Sequence, residues 1–297
     1  MGKKRRHRRK FFSGLILCFV LAALVSAAYL LLKESPPSGQ GKSKRKQHWD
    51  ASRMPRNTLT GKEAPQRLYR KQEARVSRKR LAIIMDDIGQ DLKAVEELLR
   101  TGAPITFSIL PHCTYSRISA EKIHRAGREI LLHLPMEPHG FPEVDPGKGA
   151  LLVGMDPARI RRELSADLEA VPYVSGVNNH MGSKFMEDGP KLRVVFDQLK
   201  KKGLFFVDSG TTANSRAREV AEAAGLRLIS RDAFLDHGND PDQTCRELMR
   251  LASGNGDWER KVVIAHPYPG TVEALKKFVR KVNPEKIEIV PVSSIQD

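Results

Sequence analysis

Residues 83–89 read IIMDDIG: three apolar residues, two adjacent aspartates, an isoleucine and a glycine. A short apolar run closed by charge and glycine has the pattern of a buried strand at its carboxyl end. Two carboxylates this close do not both carry full charge unless a cation compensates them. The alternative is local: either aspartate could cap a helix that begins near Gly89-Gln90.

Seven further runs share the texture of this first strand, 81–86 (LAIIMD). They are 105–110 (ITFSIL), 129–134 (EILLHL), 174–179 (VSGVNN), 204–208 (LFFVD), 226–230 (LRLIS), 261–266 (KVVIAH) and 287–292 (IEIVPV). Helical patterns lie between most of them. DLKAVEELLRTG stops at Gly102, SRISAEKIHRAG at Gly127, KLRVVFDQLKKKG at Gly203 and SRAREVAEAAG at Gly225. DPARIRRELSADLEAV and DPDQTCRELMRLASG each open with an Asp cap and a proline in the first turn. Near-continuous apolar strands separated by helices predict an α/β fold with a parallel sheet covered by helices. Eight βα-like units over residues 81–297 fit a distorted (β/α)7–8 barrel, with a doubly wound open sheet as the alternative.

Upstream the chain is different. Residues 1–80 hold 22 Lys and Arg against 4 Asp and Glu, whereas residues 81–297 hold 29 against 31, so the whole net charge of +16 sits in the N-terminal segment. The folded part carries no basic field of the kind nucleic-acid binders use, which argues against nucleic acid as a partner. MGKKRRHRRK (1–10) reads as a basic cytoplasmic tail, and the uncharged stretch 11–32 is long enough as a helix to cross a bilayer. That predicts a single-pass membrane anchor with residues 33–297 periplasmic or extracellular. A cleaved signal peptide ending near Ser26-Ala27-Ala28 is the competing reading. Residues 33–80, rich in Lys, Arg, Pro and Gln, read as a disordered basic linker. Beyond the span only Cys113 and Cys245 remain, either as a disulfide or as two free thiols.

The strand ends carry the chemistry. Strand one ends at Asp86-Asp87. The third carries His133, followed by Glu137 and His139; the fourth ends at Asn178, Asn179 and His180. The fifth ends at Asp208-Ser209 and the seventh at His266. In parallel α/β folds these ends gather on one face, where chemistry is usually done. Asp and His together suit a divalent metal such as zinc, with three protein ligands and a position left for water. On this reading a cation is the partner of the paired aspartates. Local readings remain for each residue. His133 would serve as a core histidine, His266 as part of a rigid HPYPG turn, Tyr268 as an ordinary partly buried tyrosine, Asp208 as a bond to its own glycine turn, and His112, His139 and His237 as loop residues.

In order along the chain, IIMDDIG, ITFSILP, LLHLPMEP, NNHMGS, FVDSGTT and VVIAHPY resemble the divergent polysaccharide deacetylase family, a branch of the metal-dependent polysaccharide deacetylases. The resemblance spans essentially all of 81–295. It implies a distorted (β/α) barrel that removes acetyl groups from N-acetylated sugars of an extracellular polymer, a polysaccharide or peptidoglycan-like glycan. By the same resemblance Asp86 is the general base, Asp87 a metal ligand and His266 the general acid, oriented by Asp208. The parent group supplies two histidines spaced H-x-x-x-H. Here the histidine after His133 stands six positions on, beyond two prolines. His133 is therefore joined by His180, from the neighbouring strand end, as the expected third ligand. A different class of function stays open beside this one: an anchored glycan-binding or scaffold protein on a weak or retired site. A metal phosphoesterase would want an extra cation, for which Lys184 is the nearby choice.

Overall fold

The computed structural model describes residues 78–236, 241–253 and 255–295. The expected tail, anchor and nearly all of the linker, together with His237, lie outside the described residues. Among the described residues no helix is long and apolar enough to cross a membrane.

Nine strands of the described residues form one sheet: β1 (Lys79–Ile88), β2 (Thr106–Ile109), β3 (Ile130–Met136), β4 (Gly176–Met181), β5 (Phe205–Asp208), β6 (Leu228–Ser230), β7 (Ala233–Phe234), β8 (Arg260–Ala265) and β9 (Ile287–Ile289). Every pairing is parallel. The order β6-β5-β4-β3-β2-β1-β8-β7 runs without the reversal that a doubly wound sheet has at its switch point.

The two edges of this order are consecutive pieces of one segment. Leu228–Ser230 pairs with β5, and two residues later Ala233–Phe234 pairs with β8. The Arg231 amide still bonds Asp208 O and the Asp232 amide already bonds Val262 O. The sheet is therefore a curled half-barrel whose two ends lie on one segment, rather than a closed ring of eight equal rungs. The predicted eighth strand, β9, pairs only with Lys79–Leu81 of β1, because β2 occupies the rest of that edge. Sequence reading missed β7, which is only two residues long.

Helices cover the outside: α1 (Lys93–Leu99), α2 (Ser116–Arg125), α3 (Pro157–Ala170), α4 (Gly189–Lys201), α5 (Ala217–Ala224), α6 (Pro241–Ala252) and α7 (Pro269–Lys281). In α4 the buried residues Leu192, Val195, Phe196 and Leu199 form one face at helical spacing. Asp188 caps it by accepting from the Lys191 amide at 3.0 Å. The unpredicted α7 follows HPYPG, where Pro269 occupies its first turn and starts a helix instead of closing a turn.

Strand alternation sorts the two sides of the sheet. Leu81, Ile83 and Met85 point out into the helical layer. Ala82 and Ile84 point inward, with Leu131, Phe205, Val207, Ile229, Val262 and Ile264, and Val290, Val292 and Ile295 close this inner core at the amino ends of the strands. Gly176 lets Phe205 fill that space, since a Cβ there would lie 2.7 Å from the ring. The amino half of the interior is thus mostly apolar, with Thr106 and Glu129 bonded to each other at its edge, and the other polar groups on inward positions collect at the carboxyl half.

Candidate metal centre

Continuing the inward alternation places Asp86 above Ile84, His133 above Leu131 and Asn178 above Gly176, all buried. Plain alternation would send Asp87 to the helical side. Instead the β1–β2 register shifts between Met85 and Ile88, and Asp87 adopts a positive φ of 56°. Asp tolerates this left-handed region better than most residues, and a bulge is a common way to re-aim a side chain at a site. Gly89 completes the turn at φ 125°, a conformation L side chains rarely adopt, and a Cβ there would press on Ser116, Cys113 and Leu110 at 3.1–3.3 Å. Neither Asp86 nor Asp87 caps the next helix. Asp91 does so, accepting from the Lys93 and Ala94 amides at 2.6 and 3.3 Å.

The re-aimed Asp87 Oδ1 lies 3.2 Å from His133 Nε2 and 3.1 Å from His180 Nδ1, and the two imidazole nitrogens are 3.0 Å apart. Three donor atoms from β1, β3 and β4 thus form a nearly equilateral triangle. Donors around a tetrahedral ion with bonds of about 2.0–2.1 Å stand about 3.3 Å apart, so the triangle fits a small divalent cation. Two further observations support the fit. Asp87 Oδ1 is buried and makes no aligned hydrogen bond, although both rings are near. His133 Nδ1 stands 3.0 Å from Asn178 Oδ1; with its proton there, Nε2 is left bare toward the other two donors. Burial opposes ionisation of Asp87, but the two imidazoles outweigh it and hold its carboxyl far below the usual range.

Asp86 is not part of the triangle. Its Oδ1 accepts from Asn178 Nδ2 at 2.8 Å, and its Oδ2 is 3.7 Å from His133 Nε2. Burial raises its pKa, against the pull of His133 and the Asn178 bond, and the neighbouring Asp87 charge raises it further. His266 follows directly after β8, one residue beyond the Met85–Ala265 pair. Its Nδ1 is 3.0 Å from Asp236 Oδ1, and its amide donates to Asp236 Oδ2 at 2.6 Å. Burial disfavours the charged imidazole, yet the Asp236 carboxylate outweighs it and the pKa is raised.

The orienting group of His266 is therefore Asp236, not Asp208 as the resemblance implied. Asp208 is spent on its own turn, accepting from the Gly210 amide at 2.8 Å and from Ser215 Oγ at 2.7 Å. Asp236 escaped notice because it lies two residues past the short β7; the rule that found the other strand ends would have found it had AFLD been read as a strand. Ser108, an inward residue of β2 that donates to Asn178 Oδ1, was missed likewise. Glu137 is structural: buried, it accepts from Lys184 Nζ and from the Val153 amide, both at 2.6 Å, which commits Lys184 as well. His139 sits outside, against Glu187 at 3.1 Å, and His112 pairs with buried Asp167 at 2.9 Å. Cys113 and Cys245 are both free thiols. A cavity of about 230 Å³ opens on Asp87 and His180, walled by Leu110, Pro111 and Pro135, with Lys148 on its lining.

The chain matches the divergent polysaccharide deacetylase family over residues 83–296. It is 33% identical over 219 residues to the uncharacterized protein YibQ of Escherichia coli K12, covering 73% of this chain and 67% of that one. To an uncharacterized protein of Haemophilus influenzae it is 31% identical over 219 residues, 73% and 76% of the two chains. The crystal structure of the uncharacterized protein ATU2773 from Agrobacterium tumefaciens C58 superposes with a TM-score of 0.66 at 27% identity, over 73% of this chain and 88% of that one. Alignment of this breadth and order leaves one assignment: the chain belongs to the divergent polysaccharide deacetylase family.

Proposed function

We propose that this protein is a metal-dependent deacetylase that hydrolyses N-acetyl groups on an envelope polysaccharide or peptidoglycan-like glycan. The observation that carries the reading is the triangle of Asp87 Oδ1, His133 Nε2 and His180 Nδ1, with edges of 3.0–3.2 Å, two of whose residues, Asp87 and His180, line a cavity. Those three residues would hold the cation, zinc being our choice for an Asp/His₂ donor set. When bound, such an ion supplies Lewis acidity that activates water and polarises an acyl oxygen.

The other steps fall to the chain itself. Asp86, with its pKa raised, takes a proton from the attacking water as the C–O bond forms. His266, kept protonated by Asp236, gives a proton to the leaving nitrogen as the C–N bond breaks, releasing acetate and a free amine. The 11–32 stretch would tether the domain outside the cytoplasmic membrane, near such a polymer.

The test is acetate release from peptidoglycan or chitin oligomers by the full chain, alongside elemental analysis. The expected result is about one divalent ion per chain, loss of that ion in Asp87→Ala and His180→Ala, and loss of turnover but not of metal in Asp86→Asn. Equal metal content in all variants refutes the ligand set. A metal-loaded wild type that retains glycan but releases no acetate favours the scaffold function over the deacetylase.

A further inference from the structure

Asn178 has two hands, and each holds a different part of the centre. Its Oδ1 accepts from Ser108 Oγ and faces His133 Nδ1 at 3.0 Å. Its Nδ2 donates to Asp86 Oδ1 at 2.8 Å and reaches Ser209 Oγ at 3.3 Å. All of these residues are buried, so no water competes for the contacts. The order of the hands is not arbitrary. A carboxylate only accepts, so the face of the amide toward Asp86 must be its NH₂. The face toward His133 is then the oxygen, which requires a proton on His133 Nδ1 and leaves Nε2 with a bare lone pair. An amide turned the other way would set two oxygens together at Asp86 and put the imidazole proton on Nε2, where the cation would bind.

Resting on the deacetylase reading above, we propose that Asn178 is a positioning residue that makes the two jobs of the site interdependent: it selects the metal-binding tautomer of His133 and fixes the Asp86 carboxylate that takes the proton.

Two substitutions separate the hands. Asn178→Asp keeps an acceptor for His133 Nδ1–H but confronts Asp86 with a second carboxylate. Asn178→Ala removes both contacts. The full-length protein is titrated with Co²⁺ followed by its visible absorption, acetate release is measured, and histidine tautomers are read by ¹⁵N NMR on the metal-free protein. Expected are Nδ1–H on His133 in the wild type and Co²⁺ affinity within about 3-fold of wild type in Asn178→Asp. That variant should lose turnover by about 100-fold or more, while Asn178→Ala binds Co²⁺ about 10–100-fold more weakly. Wild-type affinity in Asn178→Ala, Nε2–H on His133, or retained turnover in Asn178→Asp overturns the assignment while leaving the deacetylase reading intact. A wild type that binds Co²⁺ without releasing acetate removes the deacetylase reading, and the affinity difference between the two variants then decides the role of Asn178.

Discussion

Replacing Asp167 by Asn is predicted to stabilise the protein increasingly as pH rises from 5 to 8. Asp167 lies on α3 with its side chain fully buried; Oδ1 is 2.9 Å from His112 Nε2 and Oδ2 has no hydrogen-bond partner. The 149 backbone lies so close that a Cβ on Gly149 would come within 2.1 Å of Oδ1. Burial, helped by the charge of Glu163, pushes this carboxyl up to about 8 from an ordinary 3.8. In the unfolded chain the group ionises near its ordinary value, so between about pH 4 and 8 the native state holds a proton that the unfolded state has lost. The stability this proton confers is fully present below the unfolded pKa and disappears as pH rises through the folded one. The slope is about 1.4 kcal/mol per pH unit, so the interval from pH 5 to 8 amounts to about 2–4 kcal/mol. Asparagine keeps the shape and an acceptor for His112 but carries no proton to lose. Urea unfolding of wild type and Asp167→Asn at each pH isolates the effect, because titrating groups remote from residue 167 cancel in the difference. With a slope of about 2–3 kcal/mol per molar urea, the midpoint difference should grow by about 1–2 M. A difference that stays flat within about 0.5 kcal/mol refutes the argument, because Asp167 would then be ionised in the native state as it is in the unfolded chain.

Two further outcomes follow from the packing and from the acid. Gly176→Ala forces a methyl against three Phe205 ring atoms at 2.7–2.9 Å inside the apolar half of the barrel, an overpacking worth about 1–3 kcal/mol. Thermal melts should show the loss, and adding Phe205→Leu should recover part of it; a silent Gly176→Ala shows that the ring has room to move. Asp236→Asn removes the charge that keeps the His266 pKa raised, so activity should fail at lower pH as the imidazole loses its proton sooner. The alkaline limb of the kcat/KM profile should move acidward, with KM little changed. An unmoved limb excludes His266 as the proton donor.

Much of the barrel is legible before any coordinate is known, because a parallel strand buried on both faces leaves an apolar run that no exposed segment imitates. IIM, LLHL and VVIA carry that mark, and all eight expected strands form. The segment at β7 leaves none: Ala233 and Phe234 are half-buried, and their place is set by partner strands rather than by their own composition. With β7 goes Asp236, so Asp208 was the aspartate left at a recognised strand end when the resemblance called for one to orient His266. Helix α7 was hidden for another reason. Two prolines within HPYPG imitate a turn, yet Pro269 sits in the first helical turn, where the missing N–H costs nothing. Lys148 lies on a loop far along the chain from the strand ends, and no sequence pattern links it to the cavity that it lines.

The paired aspartates show what alternation can and cannot decide. On a regular strand one of them would face the interior and the other would enter the helical layer, among Leu81, Ile83 and Met85. An ionised carboxylate there would go unpaired at a cost of several kcal/mol. The positive φ at Asp87 costs about 1–3 kcal/mol, less for Asp than for most residues, and removes that larger penalty by bringing Oδ1 to the two imidazoles. The strain is thus the cheaper of two arrangements only because His133 and His180 wait on adjacent strands, offset by two positions in the β3–β4 register, where His133 pairs with Asn178 and Pro135 with His180. Two neighbouring strand ends do here what two histidines four apart do elsewhere. Spacing within one segment of the sequence could not have revealed it, because the relevant spacing runs across the sheet.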